Sequence, residues 1–171
     1  MREFSIVQGA VTLAGGSTTS LIAITGQGPT FTSGAVNAEI LRCWVGQYAN
    51  ATSAQQRVYL KTYGSSFPTV TTYTPNKLKP QDANASAFTG ATYASLGNVG
   101  INASNENAGA VTNVHEDAFN VLNGWLYVPT PPETRLIPAV TGNTAQPGLS
   151  LAMSTVTTNS NWAFGCNFRE V

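Results

Sequence analysis

The sequence predicts an all-β chain, a single-domain β-sandwich or jelly roll with one or more long loops. Three observations lead there. Apolar and polar residues alternate in short runs, with Gly, Asn and Pro between them. No run of ten or more residues repeats its apolar positions at the helical period of about 3.6. The third is charge: 8 Lys+Arg and 8 Asp+Glu make 9% of 171 residues, where about 25% is typical. Thr (22), Asn (15) and Ser (13) carry the polarity instead, so the Glu, Lys, Gln and Arg that build helix surfaces are scarce.

The alternation predicts strands over Phe4–Val7, Val11–Ala14, Ser20–Thr25, Ala38–Tyr48, Gln56–Tyr63, Phe88–Ala94, Asn120–Val128, Arg135–Val140, Leu149–Ser154 and Trp162–Glu170. Gly15-Gly16 reads as a hairpin turn between the second and third. In Ala38–Tyr48, Leu41, Cys43 and Val45 share one parity, Ile40 and Trp44 the other. Near the C-terminus Trp162, Phe164, Cys166 and Phe168 share one face, opposite Asn167 and Arg169. In Arg57–Lys61, Val58 and Leu60 point inward and the charges outward. A helical turn or two is expected only around Pro80–Ala87. The Asn/Ala/Gly-rich stretch Asn98–Val114 reads as a surface excursion, spanning about 95–117. A loop that long is usually functional or pinned by a partner. Pro129, Pro131 and Pro132 mark a rigid break. No composition shift or repeat divides residues 1–171.

Composition also bears on function. A net charge of zero is a poor footprint for nucleic acid, which needs clustered cations, or for an anionic membrane. A neutral surface favours association. No apolar leader follows the first residues, which leads to an expectation of synthesis in a cytoplasm. Cys43 and Cys166 lack metal-ligand spacing and read as two buried free thiols, able to face each other if their strands are neighbours. No metal and no cofactor is expected.

No catalytic constellation is expected either. His115, the single histidine, lacks a nucleophile motif and reads as a surface or interface residue. Glu39, in a central strand, needs a cation, for which Arg42 or Arg57 is available. Two Asp residues are too few for a calcium cluster. Exposed aromatics, Tyr93 and Trp125 among them, suit either a sugar platform or a subunit interface. The interface candidates are Tyr93, Asn102, His115, Trp125 and Glu133.

The succession of segments carries a resemblance. Ser20–Thr25 is followed by Ala38–Trp44, then Thr52–Leu60 with its Gln55-Gln56 pair, then Thr74-Pro75-Asn76-Lys77-Leu78-Lys79-Pro80-Gln81-Asp82-Ala83-Asn84-Ala85-Ser86. Gly124–Glu133 (Gly-Trp-Leu-Tyr-Val-Pro-Thr-Pro-Pro-Glu) and a closing Phe168-Arg169-Glu170 complete it. This order resembles a family of small virion-associated proteins of tailed bacteriophages over nearly the whole length. The Asn98–Val114 stretch departs from that pattern. The resemblance implies a non-enzymatic capsid decoration (cement) protein: a homotrimer on the outer capsid surface that binds the major capsid protein. A receptor- or carbohydrate-binding module on a tail or capsid spike is the alternative, and a small hydrolase using His115 with an acid is a third reading.

Overall fold

The computed structural model describes residues 1–16, 19–26, 36–49, 53–63, 69–82, 86–88, 98–105, 111–139 and 148–171. Twelve strands are present among them: β1 (Arg2–Leu13), β2 (Thr19–Thr25), β3 (Ala38–Tyr48), β4 (Gln55–Tyr63), β5 (Thr69–Thr72), β6 (Asn76–Lys77), β7 (Asn98–Asn105), β8 (Val111–Asn120), β9 (Trp125–Tyr127), β10 (Leu136–Ile137), β11 (Gly148–Met153) and β12 (Ser160–Glu170). The described helical structure is one 3-10 turn, Pro131–Glu133.

The strands form an all-β sandwich of two antiparallel sheets. The first runs β10-β3-β12-β1-β6, with β9 also on β3, and the second β5-β7-β2-β11-β4-β8. A nested pattern underlies them. β1 pairs with β12, β2 with β11, β3 with β9 and β4 with β8. The chain is thus a long two-stranded ribbon wound so that successive pairs fall in alternate sheets.

Alternation drives the packing. On β12, Trp162, Phe164, Cys166 and Phe168 all point into the core. They meet Ile22, Ile24, Val58, Leu60 and Leu151 of the second sheet in one apolar cluster. Phe4 stacks on Phe168 with centroids 5.7 Å apart, and Phe88 meets Phe168 edge-on at 5.6 Å. Val58 and Leu60 point inward as expected, although Lys61 is also largely buried. Glu170 closes the end of β12. Its carboxylate pairs with Arg2 at 2.6 Å and accepts hydrogen bonds from Ser86 Oγ at 2.8 Å and Ala87 N at 2.7 Å.

Two bulges change the expected parities. Phe4–Val7 and Val11–Ala14 are one strand, β1, with an extra residue between Gln8 and Val11. On β3, Arg42 opposes Asn167 while Ile40 opposes Phe168, so Leu41 is the extra residue. Ile40 therefore shares the core face with Cys43 and Val45, contrary to simple alternation.

Other expectations are corrected by connectivity. Gly15-Gly16 does not close a hairpin, because β1 and β2 lie in different sheets. It is a corner held by Gly16 N donating to Val156 O, with Gly16 at φ 97°. Asn120–Val128 breaks at a turn with Gly124 at φ 69°, which carries the chain from β8 in one sheet to β9 in the other. Among the described residues of Arg135–Val140 only Leu136–Ile137, β10, are strand, followed by Pro138, and Val140 lies outside the described residues.

The surface excursion about 95–117 is also corrected. Residues 98–105 and 111–120 are β7 and β8, and β8 pairs with β4 along most of its length. Small Asn, Ala and Gly side chains hide the alternation there. The short β5 and β6 were not expected. Around Pro80 the chain forms a turn in which Asp82 N donates to Lys79 O, and residues 83–85 lie outside the described residues. Phe88 is a core residue, but the rest of the Phe88–Ala94 expectation, Tyr93 included, also lies outside them.

Candidate functional site

The turn after β8 places the Trp125-Leu126-Tyr127 strand against the middle of β3, with Leu126 opposite Trp44. Three residues suffice to alternate. Trp125 is 8% exposed and Leu126 63%, while Tyr127 is half-buried. The Pro-rich break and its 3-10 turn then bring Arg135 beside the start of β3, where Arg135 O accepts from Ile40 N. The β9–β10 segment so frames one edge of the first sheet.

On its inner side this segment meets β8, the edge of the second sheet. The His115 ring lies 4.9 Å from that of Tyr127 and 6.1 Å from that of Trp125. Trp125 and Tyr127 are near-parallel at 13°. Trp125 Nε1 donates to Asp117 Oδ2 at 3.1 Å, and Ala118 N donates to Asp117 Oδ1 at 2.7 Å. Arg135 Nη2 donates to Val114 O at 3.2 Å, and Val114 is the bulged residue of β8. These bonds tie the sheet edges together across the open side of the sandwich.

A hollow of about 270 Å³ lies over this seam, lined by His115, Asp117, Trp125, Tyr127, Glu133 and Arg135, with Leu126 and Val128 at its side. Three of the five sequence candidates, His115, Trp125 and Glu133, thus converge. Asn102 does not join them: β7 lies on the other side of the second sheet from β8. Trp125 is no exposed platform but a buried tie. Both carboxylates already accept hydrogen bonds, Asp117 as above and Glu133 from Thr130 Oγ1 at 2.9 Å. Among the described residues, no three His, Cys, Asp or Glu side chains are grouped to hold a metal ion.

The outer face of the first sheet has the opposite character. Val7 lies opposite Gly165, Gly165 opposite Trp44, and Trp44 opposite Leu126. These four residues form an uncharged row across β1, β12, β3 and β9. Val7 is 42% exposed, and Leu122, Val128 and Leu136 add exposed apolar surface at the β9–β10 end. A hollow of about 300 Å³ opens beside Leu126, lined by Trp44, Gly46, Asn123, Gly124 and Ala163 among others. Arg42 caps Trp44, its guanidinium carbon 5.2 Å from the ring centroid. Lys79 pairs with Glu3 at 3.4 Å.

Glu39 pairs with Arg169, its cross-strand neighbour on β12, and not with Arg42 or Arg57. The hydrogen bond from Arg169 holds the Glu39 carboxyl below its ordinary pKa, against an opposing contribution from burial. Arg57 pairs with Glu116 on the second sheet. The row and the exposed surface near it were hidden in the sequence because Leu126, Val128 and Leu136 look like core residues of strands. Only register places Leu126 opposite Trp44 and Leu136 opposite Glu39.

Comparison of the chain with protein-family models, with curated proteins and with solved structures finds no match.

Proposed function

We propose that this chain is a non-enzymatic structural protein of a bacteriophage virion. It acts as a capsid decoration protein, a homotrimer that docks on the major capsid protein at the outer capsid surface and holds the lattice together. It needs no cofactor and contacts neither nucleic acid nor membrane. The observation that carries this reading is the uncharged row Val7–Gly165–Trp44–Leu126 with its exposed leucine and valine neighbours. An uncharged row with an aromatic at its centre associates at little desolvation cost, and symmetric repetition multiplies weak contacts. The nested ribbon supports a jelly-roll reading of the sandwich, an architecture used in viral capsid and lectin domains. The phage assignment rests on the segment order described above.

The test is thermal disruption of bare capsids with and without added protein. Bound protein should raise the disruption temperature, and Leu126→Asp should abolish both binding and stabilisation. Wild-type protein that neither binds nor stabilises capsids sinks the proposal.

One observation favours a second reading, a carbohydrate-binding module. The hollow over the β8–β9 seam offers the half-buried Tyr127 ring beside Asp117, Glu133 and Arg135, the mix of ring face and hydrogen-bonding groups that sugars require. On this reading a glycan array gives hits that Tyr127→Ala abolishes and that Val7→Asp, outside the hollow, leaves in place.

A further inference from the structure

Cys43 on β3 and Cys166 on β12 are directly opposite each other in register, and their sulfurs lie 3.2 Å apart inside the core. Both are free thiols and both are buried. Directly opposed residues of antiparallel strands have Cα separations of about 4.5–5.5 Å, within the disulfide range of about 4.4–6.8 Å. Bonding at about 2.05 Å asks the sulfurs to approach by about 1 Å, a movement within reach of side-chain rotation. β3 and β12 are central strands of the first sheet, and the two cysteines are 123 positions apart in sequence.

We propose that Cys43 and Cys166 are a cross-strand disulfide site, closed by thiol–disulfide exchange with a small-molecule disulfide such as oxidised glutathione. One cysteine thiolate attacks the oxidant, breaks its S–S bond and releases one reduced glutathione, leaving a mixed disulfide. The second cysteine thiolate attacks the protein sulfur of that mixed disulfide, forms the Cys43–Cys166 bond and releases the second glutathione. The two protein thiols lose two protons and two electrons, and one glutathione disulfide becomes two thiols.

Burial decides when this happens. The hydrogen bond with the Cys166 thiol, then burial, push the Cys43 thiol well above its ordinary pKa, so the thiolate that reacts is scarce in the folded chain. Exchange belongs to folding, or to moments when β3 and β12 part. A chain folded in a reducing cytoplasm keeps both thiols, and one folded under oxidising conditions closes the bond. The loop closed is long, which favours a large gain in stability.

The experiment is to unfold the reduced protein, refold it in a mixture of oxidised and reduced glutathione, and take intact and peptide masses. The expected product is a chain lighter by two hydrogens, with the Cys43 peptide joined to the Cys166 peptide. Its folding equilibrium should favour the native state by on the order of a hundredfold over the reduced protein. Two free thiols, stable glutathione adducts, dimers joined between chains, or a cross-linked chain that does not refold would each overturn the proposal.

Discussion

Gly165 on β12 lies directly opposite Trp44 on β3, and the Trp44 indole fills the space that a side chain at 165 would need. A Cβ there would overlap the ring itself, so the indole crosses β12 only because residue 165 is glycine. Gly165→Val is expected to force Trp44 off the sheet at a cost of about 1–3 kcal/mol, read as a lower denaturation midpoint. It also breaks the row between Val7 and Leu126, so capsid affinity should fall more than the loss of stability explains.

Trp125 and Leu126 are adjacent and face opposite ways, which separates folding from docking. Trp125→Ala removes a buried ring and the bond to Asp117, with an expected cost of about 3–5 kcal/mol. Leu126→Asp changes an exposed side chain and is expected to stay within about 0.5 kcal/mol of wild type while losing capsid binding. Chemical denaturation and capsid co-sedimentation of the two variants check this pair.

The Glu39–Arg169 pair sets an acid limb of stability. The folded pKa of Glu39 lies below the ordinary carboxyl value of 4.5, so the native state holds the proton less tightly than the unfolded chain. The stabilisation is fully present above that value and is lost as pH falls through the lower folded pKa. Glu39→Gln should flatten this part of the curve and leave the pH dependence at neutral pH unchanged. Urea midpoints measured on both sides of pH 4.5 decide it.

Glu170 carries more, because its carboxylate is buried and fastens the 86–88 segment as well as Arg2. Glu170→Ala leaves Ser86 Oγ and Ala87 N without their acceptor and removes the ion pair with Arg2. The expected cost is about 3–5 kcal/mol. Arg2→Ala, which loses the more exposed partner, should cost less, about 1–3 kcal/mol. Equal losses in urea titrations would contradict this ranking.

Much of the fold was legible residue by residue. Gln56–Tyr63 and Trp162–Glu170 announce themselves because large apolar residues recur at every second position toward the core; Ala38–Tyr48 does so on either side of its bulge, and Leu149, Leu151 and Met153 alternate with small residues although β11 is buried throughout. β7 and β8 left little trace. β8 is a solvent-facing edge strand that buries few side chains, and β7 is built largely of Asn, Ala, Gly and Ser, so each shows few of the large apolar residues that mark a strand, Ile101 and Phe119 being core members. Of the site, His115, Trp125 and Glu133 were visible as unusual residue types. That they converge was not, because β8 and β9 belong to different sheets.

The sequence by itself determined the class: scarce charge, abundant hydroxyls and amides, and alternating runs allow little but a β-sandwich. It also set which side chains on β12 are core, since parity along one uninterrupted strand is a local property. Tertiary structure decided everything that depends on register between strands. The extra residue at Leu41 turns Ile40 inward, Arg169 and not Arg42 becomes the partner of Glu39, and Cys43 meets Cys166. The same pairing places Gly165 beneath Trp44. Each is a contact between residues far apart in the chain, and a shift of one position in strand pairing exchanges the two faces of a strand.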